Sequence, residues 1–173
     1  MDRRIFVATS VGLIAGGKIQ EVVAQERPSL RSRLLGVWTL TDAVSIGGSD
    51  ITPWLGRRTP ITGTLMYLDS GWMSAQLSGA KPGAISRSDF TRLSPADAYT
   101  WLKEYYAYYA RFEIDEETRV ITHRVEDSLY PYEKGIVYKR SFELDGDALK
   151  LLTEPREENG RATFNRLVWK KVA

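Results

Sequence analysis

The chain has 173 residues, with 24 Lys plus Arg against 22 Asp plus Glu, 43% apolar and 27% charged residues, and a formal net charge of +2. That composition excludes disorder, collagen-like repeats and a basic nucleic-acid tail, and the length allows one domain with a substantial core. Cysteine is absent and His123 is the only histidine, which excludes disulfides, thiol nucleophiles, Cys-based zinc sites and iron–sulfur clusters.

The N-terminus opens with Asp2-Arg3-Arg4, then Ile5-Phe6-Val7 and an uncharged run of small and apolar residues to Gly17. A charged start and a short apolar middle are the marks of an export signal. The pair Arg3-Arg4 with Phe6 two positions later resembles the twin-arginine signal of bacteria. Val22-Val23-Ala24 precedes a cleavage point, so residues 1–24 are expected to be the signal, residues 25–173 the domain, and the location periplasmic or secreted. An uncleaved helix or anchor is the competing reading. The apolar stretch from Ile5 to Gly17 is shorter than the ~20 residues that span a bilayer, so no membrane insertion of the mature chain is expected.

From Leu35 onward, β-branched and aromatic segments alternate with Gly, Asp and Pro breaks, the pattern of an all-β barrel or sandwich. Strands are expected near residues 35–46, 62–69, 72–78, 107–115, 118–128, 135–145, 147–154 and 162–172. Tight links at Asp69-Ser70-Gly71, Asp115 to Thr118 and Asp145-Gly146-Asp147 favour an up-and-down antiparallel meander. Closing such an eight-stranded sheet removes its edges and leaves room for packed side chains or one small ligand. One short helix is expected near residues 95–105: Ser94 caps it, Pro95 fits its first turn and Asp97 lies three residues after the cap. Ala98, Trp101, Leu102 and Tyr105 give that helix one apolar face, expected to pack over a barrel end, and the chain should turn into a strand within Tyr105 to Tyr109.

Gly36-Val37-Trp38 in the first strand and Arg166-Leu167-Val168-Trp169 in the last resemble the calycin arrangement. Further ordered motifs lie between them: Gly63 to Tyr67, Gly71 to Leu77, Tyr108 to Glu113, Val120 to Leu129 and Arg140 to Leu144. Together they resemble the bacterial and fungal lipocalin-like domain family over most of residues 34–171. The resemblance implies a lipocalin-like barrel with an internal cavity, and a floor built from Gly36, Trp38 and an Arg from the end of the domain, here Arg166. It implies no defined reaction and no cofactor.

Alternate side chains of a barrel strand point inward. Counting by twos places Ile121, His123, Val125, Asp127 and Leu129 on one face, and Ile136, Tyr138, Arg140, Phe142 and Leu144 on another. The face of Trp38 also carries Leu40, Asp42 and Val44. Tyr67, Tyr108, His123, Asp127, Tyr138, Arg140, Asp42 and Trp54 are therefore the candidate ligand contacts. Arg140 beside Asp127 or Asp42 could equally be a buried ion pair, and His123 a satisfied core histidine. The loop from Gly47 to Gly56, with Trp54 and Leu55 at its tip, reads either as a lid or as a seal on a barrel end.

Two functions fit. The first is a carrier or binding protein for a small apolar or amphipathic molecule held in the barrel. The alternative is a cofactor-independent isomerase, cyclase or hydratase in which His123 moves a proton, imidazole being the side chain that titrates nearest neutrality. Hydrolase elbows, zinc-protease motifs, phosphate loops and dinucleotide fingerprints are absent, and the basic residues are scattered rather than striped, so no metal and no nucleic acid are expected.

Overall fold

The computed structural model describes residues 28–158 and 160–172. The expected export signal and the cleavage point before Gln25 lie outside the described residues. The chain runs α1 (Leu30–Leu34), β1 (Gly36–Gly47), β2 (Asp50–Pro53), β3 (Thr62–Tyr67), β4 (Trp72–Ser78), α2 (Arg87–Phe90), α3 (Pro95–Leu102) and β5 (Tyr105–Asp115). It continues through β6 (Val120–Ser128), β7 (Val137–Asp145), β8 (Ala148–Thr153), β9 (Arg156–Glu158) and β10 (Arg161–Lys171).

Eight of these strands form the wall, in the order β1-β3-β4-β5-β6-β7-β8-β10, every neighbour antiparallel. Pairing of β10 with β1, from Trp38 opposite Lys171 to Gly47 opposite Thr163, closes the sheet. This is the closed eight-stranded antiparallel barrel expected from the meander, with strand ends within a few residues of the expected ones. Two short strands extend it. Gly48, at φ 61, supplies the left-handed conformation for a two-residue turn, so β2 folds back on the end of β1 as a hairpin arm. Pro155 has no N–H to give a ladder, which separates β8 from β9.

The barrel is filled at one end and hollow at the other. Leu34, Trp38, Met73, Phe112, Ile121 and Leu149 are buried together at the filled end. The α1 helix is anchored there: Ser29 caps it, the Glu116 carboxylate accepts from the backbone N–H groups of Leu30 and Arg31, and Arg31 pairs with Asp69. Trp38 donates its indole N–H to the Leu34 carbonyl at 2.9 Å.

The floor differs from expectation in one partner. Lys171, not Arg166, is the basic residue over Trp38, with its ammonium 5.3 Å from the ring centre and 2.7 Å from the Arg33 carbonyl that accepts from it. The register explains this, because Lys171 lies directly opposite Trp38 while Arg166 lies opposite Val44, toward the hollow end.

The α3 helix forms as expected, with Ser94 accepting from the Asp97 N–H, and β5 begins at Tyr105. It does not cover a barrel end. None of its residues is buried, and Tyr99 and Leu102 are exposed. The turns at Trp54–Gly56 and Pro131–Glu133 occupy the hollow end in its place.

Candidate functional site

Tyr67, Tyr108 and His123 meet because adjacent strands bring their inward faces together: β3 and β4 pair, β4 and β5 pair, and β5 and β6 pair with Phe112 opposite His123. The imidazole is 1% exposed. Its Nε2 lies 2.8 Å from the Tyr67 hydroxyl and its Nδ1 2.8 Å from the Tyr108 hydroxyl. Burial holds the His123 pKa well below the usual imidazole value, and the nearby Arg140 guanidinium lowers it further. Burial likewise raises Tyr67 well above the ordinary phenol value and pushes Tyr108 up to about 12. All three groups are therefore neutral near pH 7.

Above this trio lies a cavity of about 460 Å³. Leu65, Leu77, Leu151, Leu167 and Trp169 give it an apolar body, and Tyr108, His123, Tyr138 and Arg140 line it as polar groups. The Arg140 guanidinium lies over the Tyr138 ring, 4.6 Å from its centre, within cation–π range. Trp54 is buried at the mouth, edge-on to Tyr106 at 5.5 Å, with the Arg57 guanidinium 4.3 Å from its ring. The segment expected as a loop is thus largely a hairpin arm turning at Gly48 and Ser49, and Trp54 and Leu55, at its base where β2 ends, line the mouth.

Two expected carboxylates are not in the cavity, and β-bulges are the reason. On β6, Val125 faces Ala110 but Asp127 faces Tyr109, so Glu126 is an extra residue and the inward alternation flips after it. Asp127 then shares the outer side with exposed Tyr109, and Ser128 takes the side of buried Tyr108. On β1, Leu40 faces Trp169 and Asp42 faces Val168, leaving Thr41 as the extra residue. Ala43 turns inward and is buried, and Asp42 turns outward, where Arg166 Nη2 meets its carboxylate at 3.1 Å. Neither Asp127 nor Asp42 pairs with Arg140. Ile136 falls before β7 begins and is also exposed, unlike Tyr138, Phe142 and Leu144 on the face it was expected to share.

Two carboxylates line the cavity, exposed Glu154 just after β8 and buried Glu133 in the turn between β6 and β7. Glu133 accepts from the Tyr106 hydroxyl at 3.0 Å and from the Ser128 hydroxyl at 2.6 Å. Burial first, then Tyr108 and Glu133, raise the Tyr106 pKa; burial and Glu133 raise that of Tyr138. Glu133 carries no sequence signal, since its neighbours Tyr132 and Lys134 are exposed and the segment reads as an ordinary turn. Among the described residues no group of three His, Cys, Asp or Glu side chains could hold a metal, and no helix is long and apolar enough to cross a membrane.

The arrangement can enclose a small molecule, desolvate it against aliphatic and aromatic walls, and offer it hydrogen bonds at the inner wall and the mouth. The model of the lipocalin-like domain family matches residues 35–172. No curated protein matches the chain.

Proposed function

Because this chain belongs to the lipocalin-like domain family, we propose that its barrel is a receptor or carrier for a small apolar or amphipathic molecule. The observation that supports this most directly is the cavity of about 460 Å³ between the filled end and the Trp54 mouth, within the range of ligand pockets. Tyr108, His123, Tyr138, Arg140 and Trp54 would contact the ligand, and Tyr67 would act through His123. Solvent extraction of the natively purified protein followed by mass spectrometry tests the reading. A retained apolar compound, lost on Leu77→Trp or Leu167→Trp substitution into the cavity, is the expected result. A ligand retained unchanged by both cavity-filling variants would overturn it.

A cofactor-independent isomerase, cyclase or hydratase would use the same cavity. Both ring nitrogens of His123 are engaged by phenols, so a proton moving between His123 and a substrate would pass through the Tyr108 hydroxyl. Incubation of the retained compound with wild-type protein and with His123→Ala separates the two: turnover lost with binding kept marks the enzyme. Export belongs to the proposal as well, supported by Arg3-Arg4 and the apolar run after it. N-terminal sequencing of periplasmic protein should give a start near Gln25, and a start at Met1 would overturn export by cleavage.

A further inference from the structure

The two hydrogen bonds around His123 determine where its single proton sits. A neutral imidazole has one N–H and one bare nitrogen, so one of its two phenol partners must donate and the other must accept. Tyr67 is 0% exposed, does not line the cavity, and among the described residues its hydroxyl has His123 as its hydrogen-bond partner. If Nε2 carried the proton, the Tyr67 O–H would be a buried donor with no acceptor, which folded proteins avoid. With the proton on Nδ1, Tyr67 donates to Nε2 and the Nδ1–H donates to the Tyr108 oxygen. The Tyr108 O–H is then left over, on the wall of the cavity.

Arg140 is the second donor on that wall. One of its N–H groups goes to the Lys139 carbonyl at 3.0 Å, and among the described residues no carboxylate lies within ion-pair distance of it. Guanidinium has no acceptor atom. Glu133, near the mouth, has its carboxylate engaged by Tyr106 and Ser128 and disfavours a second anion beside it. The inner end of the cavity therefore offers donors and positive charge, while its outer part carries charges of both signs, Glu133 and Glu154 together with Arg57 and Arg156.

Resting on the receptor reading above, we propose that Tyr108 and Arg140 form a head-group site for an apolar molecule whose inward end is an acceptor-only oxygen, carboxylate in preference to ketone. Tyr67 and His123 are positioning residues: they consume each other's hydrogen-bonding capacity so that the Tyr108 hydroxyl has a proton to give. A ligand ending in an ammonium would face the guanidinium and find no carboxylate beside it on that wall.

The test uses three probes with one apolar body, 2-naphthoate, 2-acetylnaphthalene and 2-naphthylmethylammonium, titrated calorimetrically into the wild-type protein, Arg140→Gln, Arg140→Lys and Tyr108→Phe. Naphthoate should bind about tenfold or more tighter than the ammonium probe, as expected for a charge-assisted contact. Arg140→Gln should remove that advantage while leaving the ketone within about threefold, Arg140→Lys should keep part of it, and Tyr108→Phe should weaken ketone and carboxylate alike. Since the chain has one histidine, ¹⁵N imidazole spectra read its tautomer without assignment, and should show Nδ1 protonated and Nε2 bare. The reverse tautomer, or an ammonium probe that binds as tightly as naphthoate, overturns the head-group site while leaving the receptor standing. Binding of none of the three to folded wild-type protein overturns both.

Discussion

The Nδ1 of His123 and the hydroxyl of Tyr108 lie 2.8 Å apart at the boundary between the filled and hollow parts of the barrel. Below them the chain packs side chain on side chain, and above them it leaves room for a guest. A neutral histidine at that boundary has thermodynamic consequences that can be measured.

The folded-state pKa of His123 is depressed by burial, so near pH 7 both folded and unfolded forms are neutral. As pH falls through the unfolded value of about 6.5, the unfolded chain takes up a proton that the native state refuses. Stability contributed by this group is thus present above about pH 6.5 and lost below it, at up to about 1.4 kcal/mol per pH unit. Urea denaturation at pH 7 and pH 5 should show the loss, and His123→Gln should flatten it over the same window. An unchanged slope in the variant would remove His123 as the cause.

Because the two bulges turn Asp42 and Asp127 out of the cavity, Asp42→Asn and Asp127→Asn should leave ligand affinity within about twofold of wild type. The Asp42–Arg166 pair is partly solvated, so Asp42→Asn should cost no more than about 1 kcal/mol of stability by chemical denaturation. A large loss of affinity in either variant would contradict the assigned register.

Glu133 should behave otherwise. Its carboxylate receives the Tyr106 and Ser128 hydroxyls in a buried setting, and Glu133→Gln exchanges charge-assisted hydrogen bonds for neutral ones. We expect a destabilisation of about 1 to 3 kcal/mol and faster amide hydrogen exchange in the turn Pro131–Glu133. Wild-type exchange rates there would show that the cluster does not hold the mouth.

Gly79 sits against the buried Glu104 side chain, and an added Cβ would come within 2.9 Å of the Arg58 carbonyl. Gly79→Ala should therefore cost about 1 to 3 kcal/mol, while Gly83→Ala, in open space four residues on, should cost little. Thermal unfolding of the two variants side by side tests this.

At the filled end, Trp38→Ala should lower stability by about 3 to 5 kcal/mol, since the indole is fully buried and its N–H holds the Leu34 carbonyl. Lys171→Met keeps most of the packing over that ring and should cost clearly less. Equal losses would mean that Lys171 holds the floor as firmly as Trp38.

The eight wall strands and their meander order were legible in the sequence because they rest on local signals, while the short strands β2 and β9 were not foreseen. Alternating apolar residues, Asp-Gly turns and the Ser94-Pro95 helix start act within a few residues of themselves, and these all stand in the structure. His123, Tyr138 and Arg140 were also placed correctly toward the interior, since no irregularity interrupts the alternation between Ile121 and Val125 or along β7. What the tertiary structure alone decided is the content of the cavity. A single extra residue at Thr41 or Glu126 reverses every side chain beyond it, and no local signal marks either bulge, because each exists only relative to the partner strand. The same holds for Glu133 and Lys171: one enters the cavity through a turn, the other faces Trp38 through register. Side-chain direction at such positions is a property of pairing between distant segments, and only the closed barrel brings those segments together.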